Sequence, residues 1–186
     1  MNITKELLDA PIIAAVKDDG GLIRALESEC KVVFLLYGSI VNLDALVQRI
    51  RERKKLCIVH IDLVEGLSGR EVAVDGLVKL CHPDGIISTK APLIRRARQL
   101  GLIAIQRYFL LDSMSLQSLL ASLEGNSPDF IEVLPGVIPA VIREITASTG
   151  TPVIAGGLIR SKQDVIAALG AGAVAVSTSC HGVWCM

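Results

Sequence analysis

Eight short apolar runs recur along this chain of 186 residues, at 11–16, 31–36, 56–62, 85–89, 102–107, 130–134, 152–156 and 173–177. Each is rich in Val and Ile, nearly continuous in hydrophobicity, and bounded by Gly, Pro or polar residues. Strands buried on both faces read this way. Their starts lie 17 to 29 residues apart, room for one strand, one helix and two short loops. A strand–helix–strand crossover makes neighbouring strands parallel. Eight such units in succession close most naturally into a (β/α)8 barrel. The competing arrangement is an open doubly wound sheet. Against it, no G-x-G-x-x-G follows the first run, and eight regular units exceed the usual open-sheet count.

The intervening segments carry helical signals. Leu43, Leu46, Val47 and Ile50 share one face of a helix over 43–53. Pro92 and Pro139 stand near the first positions of helices over 92–100 and 138–148, where a missing N–H is harmless. Ser161 and Asp164 have capping-box spacing before a helix that runs to Leu169. Gly101, Gly150 and Gly170 fall where helix C-caps are expected. Barrels of this class typically run to about 250 residues, so a single domain over 1–186 must be compact, with tight loops. Few residues follow the eighth run. The last helix is therefore truncated to a turn or two, ending in Val183-Trp184-Cys185-Met186, and a short segment over 4–8 is a candidate cap for the barrel floor. So short a closing helix should leave an apolar patch at the seam between the last and first strands. Val183, Trp184 and Leu7 would then pack on the N-terminal segment, on another subunit, or on both; a homo-oligomer is expected, since pairing two neutral subunits would also join their modest basic patches.

Lysine plus arginine equals aspartate plus glutamate at 19 each, so the chain lacks the strongly basic balance of most nucleic-acid binders. Five cysteines without a C-x2-C pair fit reduced thiols and a cytoplasmic setting better than disulfides or a zinc site. The N-terminal residues lack a signal-peptide pattern, and no apolar stretch is long enough to span a membrane.

In this fold, sites form at the C-terminal ends of strands. The loops after strands seven and eight offer Gly156, Gly157, Ser177, Thr178 and Ser179. Glycines there let backbone N–H groups approach an anion, and hydroxyls add donors, which suits a phosphate. Asp62, Lys90, Arg107 and Glu132 end four other strands and make a candidate set of pocket polar groups. His60, Asp62 and Glu65 have donor atoms suited to a metal, but interior hydrogen bonding accounts for them as well, and no metal is expected. Lys90 lacks an evident acid–base relay, so a countercharge role is favoured over a Schiff base. The densest basic run spans 49–55 and includes Arg51 and Arg53; Arg96 belongs to a second basic group on the fourth helix of the eight units. Both are candidate phosphate-backbone contacts, although neither is interleaved with aromatics for base stacking.

Six ordered motifs accompany the opening Pro-Ile-Ile-Ala-Ala-Val at 11–16. They are His-Ile-Asp-Leu-Val-Glu-Gly-Leu at 60–67, Asp-Gly-Ile-Ile-Ser-Thr-Lys at 84–90, Gln-Arg-Tyr-Phe-Leu-Leu-Asp-Ser at 106–113, Glu-Val-Leu-Pro-Gly at 132–136, Ile-Ala-Gly-Gly-Leu-Ile at 154–159 and Ala-Val-Ser-Thr-Ser at 175–179. Over essentially its whole length the chain resembles the glycerol uptake operon antiterminator family, the glycerol-3-phosphate responsive antiterminators. That resemblance implies a bacterial cytoplasmic regulator with glycerol 3-phosphate as effector and no other cofactor. It further implies action on leader mRNA of glycerol-utilisation operons, preventing early transcription termination. It carries over no catalytic residues. The rival reading is an enzyme of the same fold, a phosphosugar isomerase or epimerase using Asp62 and Glu132 as acid and base.

Overall fold

The computed structural model describes residues 3–123 and 128–186. Its eight strands form a closed, all-parallel barrel in sequence order, the last pairing with the first. They are β1 (Ile12–Val16), β2 (Val32–Leu35), β3 (Leu56–His60), β4 (Gly85–Ser88), β5 (Ile103–Phe109), β6 (Phe130–Leu134), β7 (Val153–Gly156) and β8 (Ala175–Thr178). The helices, in chain order, are α1 (Ile3–Asp9), α2 (Asp19–Glu27), α3 (Leu43–Glu52), α4 (Val72–Cys81), α5 (Ala91–Gln99), α6 (Ser113–Leu123), α7 (Pro139–Ser148), α8 (Lys162–Gly170) and α9 (His181–Trp184). Each of the eight apolar runs overlaps one strand, with β5 running two residues past its run to Phe109 and β8 one residue past to Thr178.

Alternation along the strands builds two layers of core. Ile13, Ala15, Val32, Phe34, Leu56, Ile58, Ile87, Ile105, Phe130, Ile154 and Ala175 point inward and fill the barrel. Ile3 and Leu7 of α1 join the same cluster, so the N-terminal helix closes the floor. Outward residues such as Ala14, Val33, Cys57 and Val59 meet the apolar stripes of α2 to α5, including Leu22, Leu46, Ile50 and Leu77. On the other side Ile131, Val153 and Val176 meet Ile142, Ile145 and Val165. Strands covered on both faces need no polar residue in their middles, which explains the continuous apolar runs.

Helix ends follow local chemistry. Ser161 Oγ accepts from the Asp164 N–H at 3.2 Å while Asp164 accepts from the Ser161 N–H at 2.8 Å, closing the expected capping box. Asp18 caps α2 by accepting from the Gly21 N–H at 2.6 Å. Gly101 takes the left-handed conformation after α5, as expected, with φ +75°. For α8 the expectation is off by two residues, since Gly170 remains helical and Gly172 turns left-handed at φ +104°. Gly150 adopts no such conformation, because α7 ends on an extended Thr149.

The expected exposed patch at the seam is absent. Although α9 is a single turn, Val183 is 0% and Trp184 2% exposed. Trp184 belongs to the same buried cluster as Ala14, Val16, Leu22 and Ala25, with α9 packed on β1 and α2, and its Nε1–H donates to the Thr178 carbonyl at 2.8 Å. One large side chain covers the seam in place of a longer helix. Leu7 is likewise buried, under the barrel floor. The seam itself therefore gives no ground for a homo-oligomer. Replacing Trp184 with Ala should cost about 3–5 kcal/mol of stability, read from urea denaturation; a loss below about 1 kcal/mol would show that the seam does not depend on it.

Candidate functional site

At the C-terminal mouth of the barrel lies a cavity of about 660 Å³. Its wall comprises Ala15 and Lys17 after β1, Leu36 after β2, Leu63 after β3, Arg107 on β5, Glu132 and Leu134 on β6, Gly157–Arg160 after β7 and Ser177–Cys180 at the end of β8. The phosphate-type loops and two of the four pocket polar groups thus face one space.

Its floor is a buried charged network. Glu132 is fully enclosed, accepting from Arg107 Nε at 2.5 Å and from the Ser177 hydroxyl. All three residues point inward by strand parity, from β6, β5 and β8. Gly156, between β6 and β8, makes this possible. A Cβ there would stand 2.5 Å from Glu132 Oε1 and 2.8 Å from Ser177 Oγ. Gly156 therefore provides space for the Glu132 carboxylate, whereas Gly157 supplies the turn, with φ +74°. Leu158 follows in the same left-handed region at φ +62°, a strain of about 1–2 kcal/mol for a residue with a Cβ. Strain of this kind collects at ligand-binding loops.

The hydroxyls differ from expectation. A hydroxyl has one proton to donate. Ser177 gives its proton to Glu132, and Thr178 gives its own to the Ile159 carbonyl at 2.7 Å while accepting from the Cys180 N–H at 3.0 Å. Thr178 thereby ties the β7–α8 loop to the β8–α9 loop. Anion donors in this corner are backbone N–H groups, the Ser179 hydroxyl, and two cations that sequence reasoning passed over, Lys17 and Arg160. Lys17 was legible only as the polar residue ending the first strand. Arg160 sits in the loop just before the Ser161 cap. With Glu132 neutralised by Arg107, the charged lining residues leave an excess of two positive charges, complementary to a phosphate dianion.

Asp62 and Lys90 are not in this wall. β3 stops at His60, and Ile61–Leu63 form one turn of 3-10 helix, so the strand alternation that would have aligned His60 with Asp62 no longer applies. Asp62 instead accepts from the Ser88 hydroxyl at 2.9 Å and from the Thr89 N–H at 2.8 Å, and pairs with Lys90 Nζ at 3.8 Å. Lys90 is the N-cap of α5, half exposed beside Gly69. These two residues fasten the ends of β3 and β4 to each other, apart from Arg107 and Glu132. Among the described residues, no group of three potential metal-ligating side chains is assembled.

His60 was passed over as an interior residue. It faces the barrel lumen at the level of Arg107 and is 4% exposed. Burial first, and then the Arg107 charge, pushes its pKa down to about 4, so the ring is neutral near pH 7.

The basic candidates sit elsewhere. Arg51 and Arg53 lie at the C-terminal end of α3, at the barrel floor opposite the cavity, where Arg51 donates to the His82 carbonyl. Arg96 on α5 is paired with Asp75, with Nε at 3.1 Å from Oδ2. Its hydrogen bonds hold the Asp75 carboxyl below the usual range.

The glycerol-3-phosphate responsive antiterminator family model matches residues 12–184. The chain belongs to this family. A protein of Escherichia coli (strain K12), the uncharacterized YgcP, is 41% identical over 174 residues, covering 94% of this chain and 91% of that one. A glycerol uptake operon antiterminator regulatory protein of Listeria monocytogenes is similar in structure, with TM-score 0.91, 36% identity and 95% of both chains covered. A glycerol uptake operon antiterminator-related protein of Thermotoga maritima gives TM-score 0.81 at 34% identity, covering 93% of this chain and 96% of that one. No helix among the described residues of this family member is long and apolar enough to cross a membrane.

The depressed His60 gives a stability signature. Between its ordinary pKa of 6.5 and its folded value of about 4, the unfolded chain binds a proton that the folded chain does not. Stability is therefore full above about pH 6.5 and falls as pH drops toward 4, by up to about 3 kcal/mol from this residue. His60→Gln should show a shallower loss over that window in urea titrations; parallel curves for the two proteins would contradict the assignment.

Proposed function

We propose that this chain is a glycerol-3-phosphate sensor that acts on leader mRNA of glycerol-utilisation operons as an antiterminator. The observation that carries the reading is the cavity itself. The turn at Gly157, the strand end Ser177–Ser179, and the cations Lys17 and Arg160 border one space, above a floor in which Arg107 is already oriented by Glu132. The phosphoryl group would meet backbone N–H groups and the Ser179 hydroxyl, with Lys17 and Arg160 as countercharges. Leu36, Leu134 and Leu158 suit the carbon skeleton, and Arg107 suits its hydroxyls.

A regulator accounts for the geometry better than an isomerase or epimerase. An acid and a base must flank one substrate, but Asp62 and Glu132 do not share the cavity, and Glu132 already accepts from two donors. The ligand would be bound and released unchanged, in the cytoplasm where leader RNA is made, with the five thiols reduced. With the Arg96 charge met by the Asp75 carboxylate, whereas Arg51 donates to the neutral His82 carbonyl, Arg51 and Arg53 at the barrel floor are the better RNA contacts. The effector must then favour an RNA-competent arrangement, because a ligand shifts an equilibrium only through differential affinity.

Replacing Gly157 with Val should weaken glycerol 3-phosphate at least about tenfold, or about 1.4 kcal/mol, in calorimetry; unchanged affinity would place the phosphate elsewhere. A leader-RNA gel shift should strengthen on adding glycerol 3-phosphate. Arg51→Ala and Arg53→Ala should each weaken RNA binding and lower its salt slope by about 1; a salt-insensitive interaction, unaltered by either change, would contradict the RNA role.

A further inference from the structure

His60 Nδ1 is the one buried side-chain nitrogen or oxygen among the described residues that lacks a hydrogen-bond partner. The nearest carboxylate, Asp62 Oδ2, is 4.0 Å away and already accepts from Thr89. A buried, unsatisfied polar atom costs about 1–3 kcal/mol. The residue's own carbonyl gives the ring partial compensation, and Leu56 and Ile58, inward from the same strand, show that the lumen also accepts apolar side chains. An atom kept unpaired at a loss to the fold points to a partner that comes and goes.

The position says where that partner is. The cavity wall includes Leu36, Leu63 and Arg107, from β2, the turn after β3, and β5. His60 is not itself in that wall; it stands behind these residues on the inward face of β3, its Nδ1 closed to solvent, and the Arg107 charge bears on its ring. The cations and turn that suit a phosphate lie on the other side of the mouth, after β7, β8 and β1. A neutral imidazole adds no charge to balance a dianion, which the cations across the mouth already match. It suits a hydroxyl, which both donates and accepts and so matches either ring tautomer.

We infer that His60 is the specificity-determining contact for a hydroxyl of a polyol phosphate, reached through one water or a small shift of the wall in front of it, and that it separates such a ligand from bare phosphate. This rests on the cavity being the effector site. The ligand then spans the barrel mouth, with phosphate over β7 and β8 and hydroxyls toward β3 and β5. Its carbon chain lies above the Arg107–Glu132 pair.

The test is calorimetry of the full chain with two probes, glycerol 3-phosphate and inorganic phosphate, on the natural protein, His60→Leu and His60→Asn, each with a thermal melt. The Leu variant should lose about five- to tenfold in glycerol 3-phosphate affinity, the worth of one hydrogen bond, with phosphate affinity within about twofold. Its melting temperature should be equal or higher, because the unpaired atom is gone. The Asn variant, with a polar atom near the Nδ1 position, should recover most of the affinity. A Leu variant that binds glycerol 3-phosphate normally, loses both probes alike, or melts well below the natural protein overturns the inference, as does an Asn variant no better than Leu. Each of those results leaves the effector site standing, whereas a natural protein that binds neither probe removes both.

Discussion

A carboxylate enclosed in the lumen of a parallel barrel is tenable only where its charge and its lone pairs are met, and Glu132 meets that condition through Arg107 and Ser177. The three residues come from β6, β5 and β8, and the room between them exists because β7 ends in a glycine at 156. Buried ion pairs add little net stability compared with apolar packing, but breaking one by removing a partner costs about 3–5 kcal/mol. The network's value lies in position. Arg107 would otherwise be a flexible cation; held through Nε, it presents a fixed edge to the cavity. The strand register, the Gly156 gap and the cation at the floor are one arrangement.

The same economy runs around the mouth. Thr178 spends its hydroxyl on the Ile159 carbonyl and lends its own carbonyl to Trp184, so the two phosphate-type loops and the closing helix are hydrogen-bonded through one residue. Asp164 performs a similar service at α8, accepting from the Arg160 and Ser161 N–H groups and fixing the loop that carries Arg160. A small barrel with short loops has few residues to hold its site, and these strand-end residues take on two structural contacts each. The path from the cavity to the terminal helix is therefore short and continuous.

The fold was legible in the sequence because its signal is repetitive. Eight apolar runs with turn residues between them admit few arrangements, and each marks one strand. Of the residues read from the sequence, Gly157 and Ser177–Ser179 do line the cavity, where backbone geometry sets the wall; the reading fares less well where side-chain direction matters. Reading strand ends as one convergent set put Asp62 and Lys90 with Glu132. The 3-10 turn at Ile61–Leu63 and the α5 cap at Lys90 turn those two aside, and no sequence period announces such a turn. The free Ser177 and Thr178 hydroxyls expected for phosphate are engaged internally, because buried hydroxyls take the nearest acceptor. Lys17 and Arg160 escaped selection because a lone loop cation resembles any solvated one until the lining of the cavity is known. The exposed seam was expected from helix length alone, which ignored how much surface one buried indole covers.

The central claim is that one cavity holds the effector between the β7 and β8 loops and the Glu132-oriented Arg107. A crystal structure with glycerol 3-phosphate bound tests it most directly. The account predicts the phosphoryl group within hydrogen-bond distance of the Gly157 and Ser179 backbone N–H groups, and the glycerol hydroxyls toward Arg107 and His60. A phosphoryl group at Asp62 and Lys90, at the barrel floor, or anywhere outside the cavity mouth would contradict it.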